Sequence, residues 1–534
     1  MHEKKRVITD YKNQSVSNKL KRILLIIIGV VTLLFLSVLG LDYFFKKKLK
    51  EQINQVPESV KIQYEDIKVN SLKGSIDLVK PLISIYEKTT HKITIQIELK
   101  HFSVVNLSYW NYLFNDKITL YNIFFSQPKI TYYHNNASKF HEDKFIKDLK
   151  QIIQIEFLQI QDAHVKIYDI SNDSLLLKTE NLNLRINTIE INPSTEKKLI
   201  TYKDFKATSK STFYSLNDYE NLIIKNLDVR SDFSSLKGIT LKTKYSKETL
   251  SNKIEVERDH YNLTIDSIKI TKQNFGFEQD TLFYFKSQCV DFYQPNFKIY
   301  RNKLVTDNLS YKPLYSKMLR DLNFSMTLNS VFLNNASVTY TEKVKTDTQG
   351  GKILFSKLNG EIKNLSNTYE FDDTITSINI TAVFMDNTPI DVQWNFDINN
   401  LHDQFIFKAK IGKLNAESMN QFMESNLNMR VKGEIDKTYF TINGNNFTSQ
   451  IDLKLKYDDF DVFILKENGK VKNKVLSNII SFFISKDSND AAENFRYGSK
   501  SEVKRTMNRS VFNYFWLNIK AGLLDAMTRD GKEK

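Results

Sequence analysis

Alternation of apolar and polar residues is the feature that most restricts this chain, because a two-residue period commits each stretch carrying it to a strand with one apolar and one wet face. Lys92–Lys100 reads KITIQIELK, with Ile93, Ile95, Ile97 and Leu99 on one face and Thr94, Gln96 and Glu98 on the other. Val392, Trp394, Phe396 and Ile398 alternate with Gln393, Asn395 and Asp397; a polar turn through Asn399 and Asn400 then leads to Phe405, Phe407, Ala409 and Ile411. That predicts an antiparallel hairpin with one apolar face. Ile451, Leu453, Leu455 and Tyr457 against Asp452, Lys454 and Lys456 repeat the theme. Helical patterns are few: Lys139–Ile153, Pro313–Leu322, Ala416–Glu424, Val475–Ile484 and Arg505–Met527.

Composition narrows the class further. Over 534 residues, 41% are hydrophobic and 12% aromatic, which excludes a disordered chain, and a mean hydropathy of −0.39 excludes a multi-span membrane protein. With 15 Gly and 7 Pro, Gly-rich phosphate loops and immunoglobulin-type arrays are disfavoured. A single cysteine, Cys289, excludes an internal disulfide and a thiolate zinc site. Of the net charge of +14, +5 lies in residues 1–22, and the remaining +9 is too dilute for a nucleic-acid surface.

Ile23–Leu41 reads ILLIIIGVVTLLFLSVLGL, 19 residues without a charge, about the length that crosses a hydrocarbon core of roughly 30 Å. The run ends in Asp42, Tyr43, Phe44, Phe45 and a lysine cluster instead of a small-residue cleavage site, so an uncleaved signal anchor is expected. A short basic tail before a long domain leaves the tail in the cytoplasm and residues 46–534 outside it.

An internal repeat is visible. FFSQPKITYY (Phe124–Tyr133) matches FYQPNFKIY (Phe292–Tyr300), with a fainter version in VKPLISIY (Val79–Tyr86). FLQIQDAHVKIYD then matches VFLNNASVTYTE, and NLNLRINTIEI from Asn181 matches KLNGEIKNLSN from Lys357. Pro128 and Pro295 are 167 residues apart, Ala163 and Ala336 are 173 apart, and the element order is preserved, as in a duplication. The apolar faces require a partner. Two sheets facing one another would bury them, and so would one sheet curled into a trough filled by acyl chains; the pattern leaves both open.

The layout of an N-terminal anchor, the strand pair SLKGSIDLVKPLISIY, repeated NASVTY hairpins and a C-terminal module resembles the AsmA-like family of Gram-negative envelope proteins. The C-terminal resemblance is carried by TPIDVQWNFDI (388–398), FIFKAKIGKLNAESMNQF (405–422), MRVKGEIDKTYFTINGNN (429–446) and LKYDDFDVFIL (455–465). The resemblance implies a mainly β fold: an elongated, curled antiparallel sheet forming a repeated β-groove, with a few short helices and one N-terminal transmembrane helix. It implies inner-membrane anchoring, a large periplasmic domain, and phospholipid passage along the groove, as in bridge-like lipid transfer proteins. The expected segments are a basic tail (1–22), an anchor (23–45), the repeated groove (46–387), a C-terminal β module (388–470) and a helical end (471–534). Groove candidates are Ile93, Ile95, Ile97, Leu99, Val392, Trp394, Phe396, Ile398, Phe405 and Phe407. Sheet strands advance about 4.8 Å each, so some 400 residues give a groove shorter than an envelope crossing, and an envelope partner or oligomer is expected. The rival expectation is a periplasmic scaffold with a closed β core and no lipid.

Chemistry-bearing constellations are weak. His134, His141 and His164 lack metalloprotease spacing, and Gly350, Gly351 and Lys352 suit a hairpin turn better than a phosphate loop. Asp372 with Asp373, and Asp458 with Asp459, lack a calcium-loop spacing, and no nucleophile elbow occurs. Neither enzymatic activity, metal nor cofactor is expected. In the helical end, Lys500, Lys504, Arg505 and Arg509 precede a stripe of Phe512, Phe515, Trp516, Ile519 and Leu523. That stripe suits either a helix capping the last strands, which is favoured, or one lying on anionic lipid.

Overall fold

The computed structural model describes residues 30–32, 36–87, 91–108, 111, 117–135, 151–193, 200–278, 282–368, 374–466, 488 and 495–528. The chain is mainly β with a few short helices, and it divides into two compact units, Met1–Ala207 and Thr208–Lys534. Of the expected anchor, 23–45, residues 23–29 and 33–35 lie outside the described residues, as do His141, Asp372, Asp373, residues 139–150 of the helical pattern 139–153, and the helical pattern at 475–484. Among the described residues no helix is long and apolar enough to cross a membrane.

In the first unit, residues 36–54 are helical and are tied to residues 66–71 by Lys46 Nζ with Asp66 at 3.0 Å and by the Ser71 amide donating to Asp42 at 2.6 Å. The strands are β1 (Val60–Gln63), β2 (Asp66–Asn70), β3 (Ser75–Val79), β4 (Leu82–Tyr86), β5 (Ile93–Glu98), β6 (His101–Leu107), β7 (Lys117–Ser126), β8 (Lys129–His134), β9 (Ile152–Asp169) and β10 (Leu175–Ile191). They pair in two rows, β1–β4–β5–β8 and β2–β3–β6–β7, both of which meet the long strand β9. Strands β7 and β8 join β9 in parallel, and β10 pairs with β9 antiparallel. A parallel neighbour needs a crossover connection, and the chain between His134 and Ile152 supplies its length. The division between units falls within β11 (Ile200–Ser215).

The second unit holds β12 (Glu220–Arg230), β13 (Phe233–Thr243), β14 (Asp259–Thr271), β15 (Asn274–Glu278), β16 (Leu282–Tyr293), β17 (Asn296–Asn302), β18 (Ser325–Lys343), β19 (Gly351–Ser366) and β20 (Ile375–Phe384). It continues through β21 (Thr388–Asp397), β22 (Phe405–Ile411), β23 (Leu414–Asn415), β24 (Met429–Gly444), β25 (Thr448–Ile464) and β26 (Arg496–Lys504). A helix the alternation did not reveal, Lys247–Lys253, is capped by Ser246, whose side chain accepts from the Thr249 amide. The other helices fall near their expected places at Tyr315–Arg320, Asn420–Leu427 and Val511–Thr528.

The repeat is structural as well as sequential. Strands β16 and β17 run parallel to β18, as β7 and β8 do to β9, and β18 pairs antiparallel with β19, as β9 does with β10. Both copies break at the same place. Gln127 and Gln294 adopt φ of 50° and 51° before their prolines, and their amides donate to Gln161 O and Asn334 O, each at 2.8 Å. Opposite them, Asp162 and Asn335 have φ of 54° and 52°, and their amides are capped at 3.0 Å by the side chains of Asn183 and Asn359.

Candidate functional site: the apolar faces and their covers

Every long strand of the first unit changes the parity of its apolar residues at its break. In β3 and β4 the series is Ile76, Leu78, then Ile83, Ile85; in β7 and β8 it is Ile123, Phe125, then Ile130, Tyr132; in β9 it is Leu158, Ile160, then Val165, Ile167. A one-residue slip would send the second half to the wrong face, and the extra residue inserted at each break cancels that slip. Cross-strand partners are therefore apolar along each row, except that the row through Val165 ends on Thr179 of β10. On one side of the breaks the rows are Ile67, Leu78, Phe102, Phe125, Ile160, Leu184 and Val69, Ile76, Val104, Ile123, Leu158, Ile186. On the other side they are Ile62, Ile83, Ile97, Ile130, Val165 and Val60, Ile85, Ile95, Tyr132, Ile167, Leu177. The alternate row Lys61, Ser84, Gln96, Thr131, Lys166, Lys178 is polar.

Most of these apolar side chains are only half-buried; in the rows Ile67 and Leu78 are buried, and outside them so are Leu99, Ile155, Ala163 and Ile189. Among the candidates from the sequence, Ile95 and Ile97 lie in the rows, Ile93 ends β5 in an exposed position, and Leu99 is buried at the break.

In the second unit one row runs Leu227, Leu236, Ile268, Phe292, Leu333, Gly360, Ile380, Val392, Ala409, Phe440, Leu453, Gly498. Its neighbour includes Ile270, Val290, Val331, Ile362, Ile378, Trp394, Phe407, Ile442 and Ile451. From Leu227 to Leu333 the first row is half-buried, as are Ile380 and Val392, whereas Ala409, Phe440, Leu453 and Gly498 are buried. The C-terminal helix packs Val511, Tyr514, Phe515, Ala526 and Met527 onto them in one cluster with Trp394, Phe396, Ile398 and Phe405. The ring centroids of Phe407 and Phe515 are 4.2 Å apart. Tyr315, from the short helix before β18, covers Trp394 at 5.2 Å.

Glycine sets the height of that helix. A Cβ on Gly498 would meet the Gly522 carbonyl oxygen and come within 2.6 Å of the Ala526 nitrogen, so strand and helix touch backbone to backbone. Asn518, fully buried, donates to Tyr514 O at 2.9 Å and accepts from Ser449 at 2.9 Å.

The sequence candidates thus fall into two environments. Trp394, Phe396, Ile398 and Phe405 belong to a closed core, with Val392 and Phe407 partly buried against it. The helical stripe is also divided. Phe515 is buried and Ile519 and Leu523 pack partly onto the core, while Phe512 and Trp516 point outward at 62% and 39% exposure. A stripe with its centre on the sheet cannot also lie on lipid, and the capping arrangement is the one present.

The basic lead-in is likewise used internally. Arg509 pairs with Asp307 at 2.5 Å and Glu257 at 3.2 Å, and Lys303 joins the same two carboxylates at 3.2 and 2.6 Å. The Arg509 and Lys303 hydrogen bonds hold the Asp307 carboxyl below the usual carboxylate range. Arg505 is buried, donating to Asn446 and to the Lys312 carbonyl. A second buried pair, Arg320 with Asp403 at 2.6 Å, is completed by Ser316 donating to Asp403 at 2.8 Å.

The Tyr132 hydroxyl lies 3.3 Å from His134 Nδ1, His164 is exposed, and the described residues contain no metal-holding group. Gly350, with φ of 91°, sits in the turn between β18 and β19, and Asp459 faces Gly433 at a break between β24 and β25. The residues sequence reasoning missed are Phe102, Phe125, Ile160 and Leu184. Their signal was the parity change itself, which hides an apolar face from any search for unbroken alternation. In comparisons with known proteins, no family model, curated protein or solved structure matches the chain.

Proposed function

We propose that the chain is a membrane-anchored carrier that binds phospholipid acyl chains on its apolar sheet face, in the periplasm of a Gram-negative cell, and supports intermembrane lipid transport or outer-membrane assembly. It acts as a conduit with no catalytic step. The observation that carries this reading is the set of apolar rows in the first unit, kept on one face through aligned breaks and left half-exposed. Strand breaks of this kind bend and twist a sheet, which favours a trough over a flat surface. Sheltering an acyl chain there gains about 0.8 kcal/mol per buried methylene, while the charged headgroup stays in water at the rim.

The half-buried stretch from Leu227 to Leu333 extends the same reading to the second unit. Ile95 and Ile97 stay in the proposed path of the first unit; Trp394, Phe396, Ile398 and Phe405 belong to the closed core of the second unit and are not assigned to a path. That closed cluster favours the rival scaffold reading for β21–β26.

The test is photo-crosslinking in the full chain expressed in a Gram-negative host, with a photoreactive residue at Phe102, Phe125 or Ile160 and, as control, at Gln159 on the alternate face. Phospholipid adducts at the first three positions and none at Gln159 are expected, together with co-purified phospholipid in native mass spectrometry. Phe125→Asp lowers the lipid carried several-fold without lowering the melting temperature. A lipid-free chain with no adducts at any of these positions would refute the carrier reading and leave the scaffold.

A further inference from the structure

Several turns of the second unit meet at one place and present apolar side chains to water. Leu401, between β21 and β22, is 80% exposed; Leu309, in the connection after β17, 73%; Phe447, between β24 and β25, and Phe512, at the start of the C-terminal helix, 62% each. They are neighbours through hydrogen bonds. The Asn446 amide donates to His402 O at 3.1 Å, the Arg505 amide to Phe447 O at 2.9 Å, the Tyr311 hydroxyl to Asn446 at 3.0 Å, and the Lys312 amide to Met507 O at 2.9 Å. Chain segments remote in sequence thus converge on a cluster of protruding tips.

The charge around the tips is positive. Lys312 donates to Ser310 at 2.9 Å, and Lys500 and Lys504 are exposed; none of the three pairs with a carboxylate among the described residues. Arg505 donates through its two terminal nitrogens to Asn446 and a backbone carbonyl and pairs with no carboxylate among the described residues. On the acidic side, Asp307 and Asp403 are neutralised by Arg509 with Lys303 and by Arg320, which leaves Glu502 and, opposite Ser499 on β25, Asp452 as exposed carboxylates against Lys312, Lys500, Lys504 and Arg505. We propose that this end of the second unit docks on an anionic bilayer, with Leu309, Leu401, Phe447 and Phe512 entering the headgroup region, Tyr311 at its boundary, and Lys312 and Lys504 facing lipid phosphates. A bilayer fits better than a folded partner because the apolar groups are separate projections, with Asn308, Asn400, Asn445 and Asn446 between them, and form no continuous face. Leu and Phe tips with a tyrosine and basic residues behind them match the polarity gradient of a membrane interface. The inference stands on the tips and their charge, apart from how the sheet faces are used.

The experiment uses the full chain with Cys289→Ser and a single label site, Leu401→Cys or Phe447→Cys, carrying an environment-sensitive fluorophore; Asn395→Cys on the opposite face of β21 is the control. Vesicles of phosphatidylethanolamine with 30% phosphatidylglycerol should blue-shift the labels at 401 and 447 and expose them to quenching by bilayer-embedded nitroxides, leaving 395 unchanged. Phosphatidylcholine vesicles should need at least tenfold more lipid, and Lys312→Glu with Lys504→Glu should erase that preference at an unchanged melting temperature. Labels at 401 and 447 that stay in water while the chain co-sediments with vesicles would overturn the proposal, because attachment then runs through another segment. A shift that needs no vesicles and grows with protein concentration assigns the tips to a second copy and also overturns it. The acyl-chain crosslinks at Phe102 and Phe125 are read separately, so either result can fail alone.

Discussion

Cys289 shows how far a single side chain is set by its strand. It lies in β16 next to Val290 of the apolar face, and its thiol donates to Asp291 at 3.3 Å. Burial, followed by the Asp291 hydrogen bond and charge, pushes the thiol up to about 11. Thiolate, the reactive form, is therefore scarce at neutral pH. Alkylation of the folded chain at pH 8, followed by mass spectrometry, is expected to run at least about tenfold slower than for an ordinary thiol and to accelerate toward pH 11; Asp291→Asn should recover part of the rate. An ordinary rate at pH 8 in the folded wild type would contradict this. The glycines carry a comparable lesson. Gly498 has no sequence motif to mark it, yet the contact with Gly522 makes it the seat of the C-terminal helix.

Among the elements, the strand break is the unit that repeats. Asn183 and Asn359 each cap the amide of a left-handed residue on the neighbouring strand and donate back to Asn181 O at 3.0 Å and Lys357 O at 3.2 Å. An asparagine does this well because its carbonyl accepts while its amino group donates. Asn359→Ala is expected to cost about 0.5–1.5 kcal/mol in denaturant unfolding, and Asn359→Asp less because the acceptor survives. Asn183→Ala should give a matching loss if the two copies work alike, and a null effect at both sites would show that the break is held by pairing alone. The proline-opened strands were legible as a repeat in the sequence. Their parity change was not read, because a period-two search scores each half of a broken strand separately, and the face they share depends on the extra residue at the break.

At the scale of the molecule, the C-terminal helix is held by apolar packing along its length and by the Asp307, Glu257, Lys303 and Arg509 pairs at its entrance. Since the folded Asp307 carboxyl lies below its usual range, its contribution is fully present above the unfolded value, about 4, and is lost as pH falls through the lowered one. Hydrogen exchange should therefore show residues 505–515 losing protection in acid ahead of β24 and β25, and Asp307→Asn should reproduce part of that loss at neutral pH. Unchanged exchange in the variant would mean that packing alone holds the entrance. The sequence by itself determined the strands, the antiparallel hairpin of β21 and β22, the duplication and the amphipathic helix, because alternation and helical spacing are local consequences of backbone geometry. Which apolar face is covered was decided only by tertiary structure. Trp394 and Ile97 carry the same local signal, yet one lies under a helix more than 100 residues away in sequence and the other is left half-open. Strand periodicity encodes which way a side chain points; what comes to lie over it depends on contacts between distant segments.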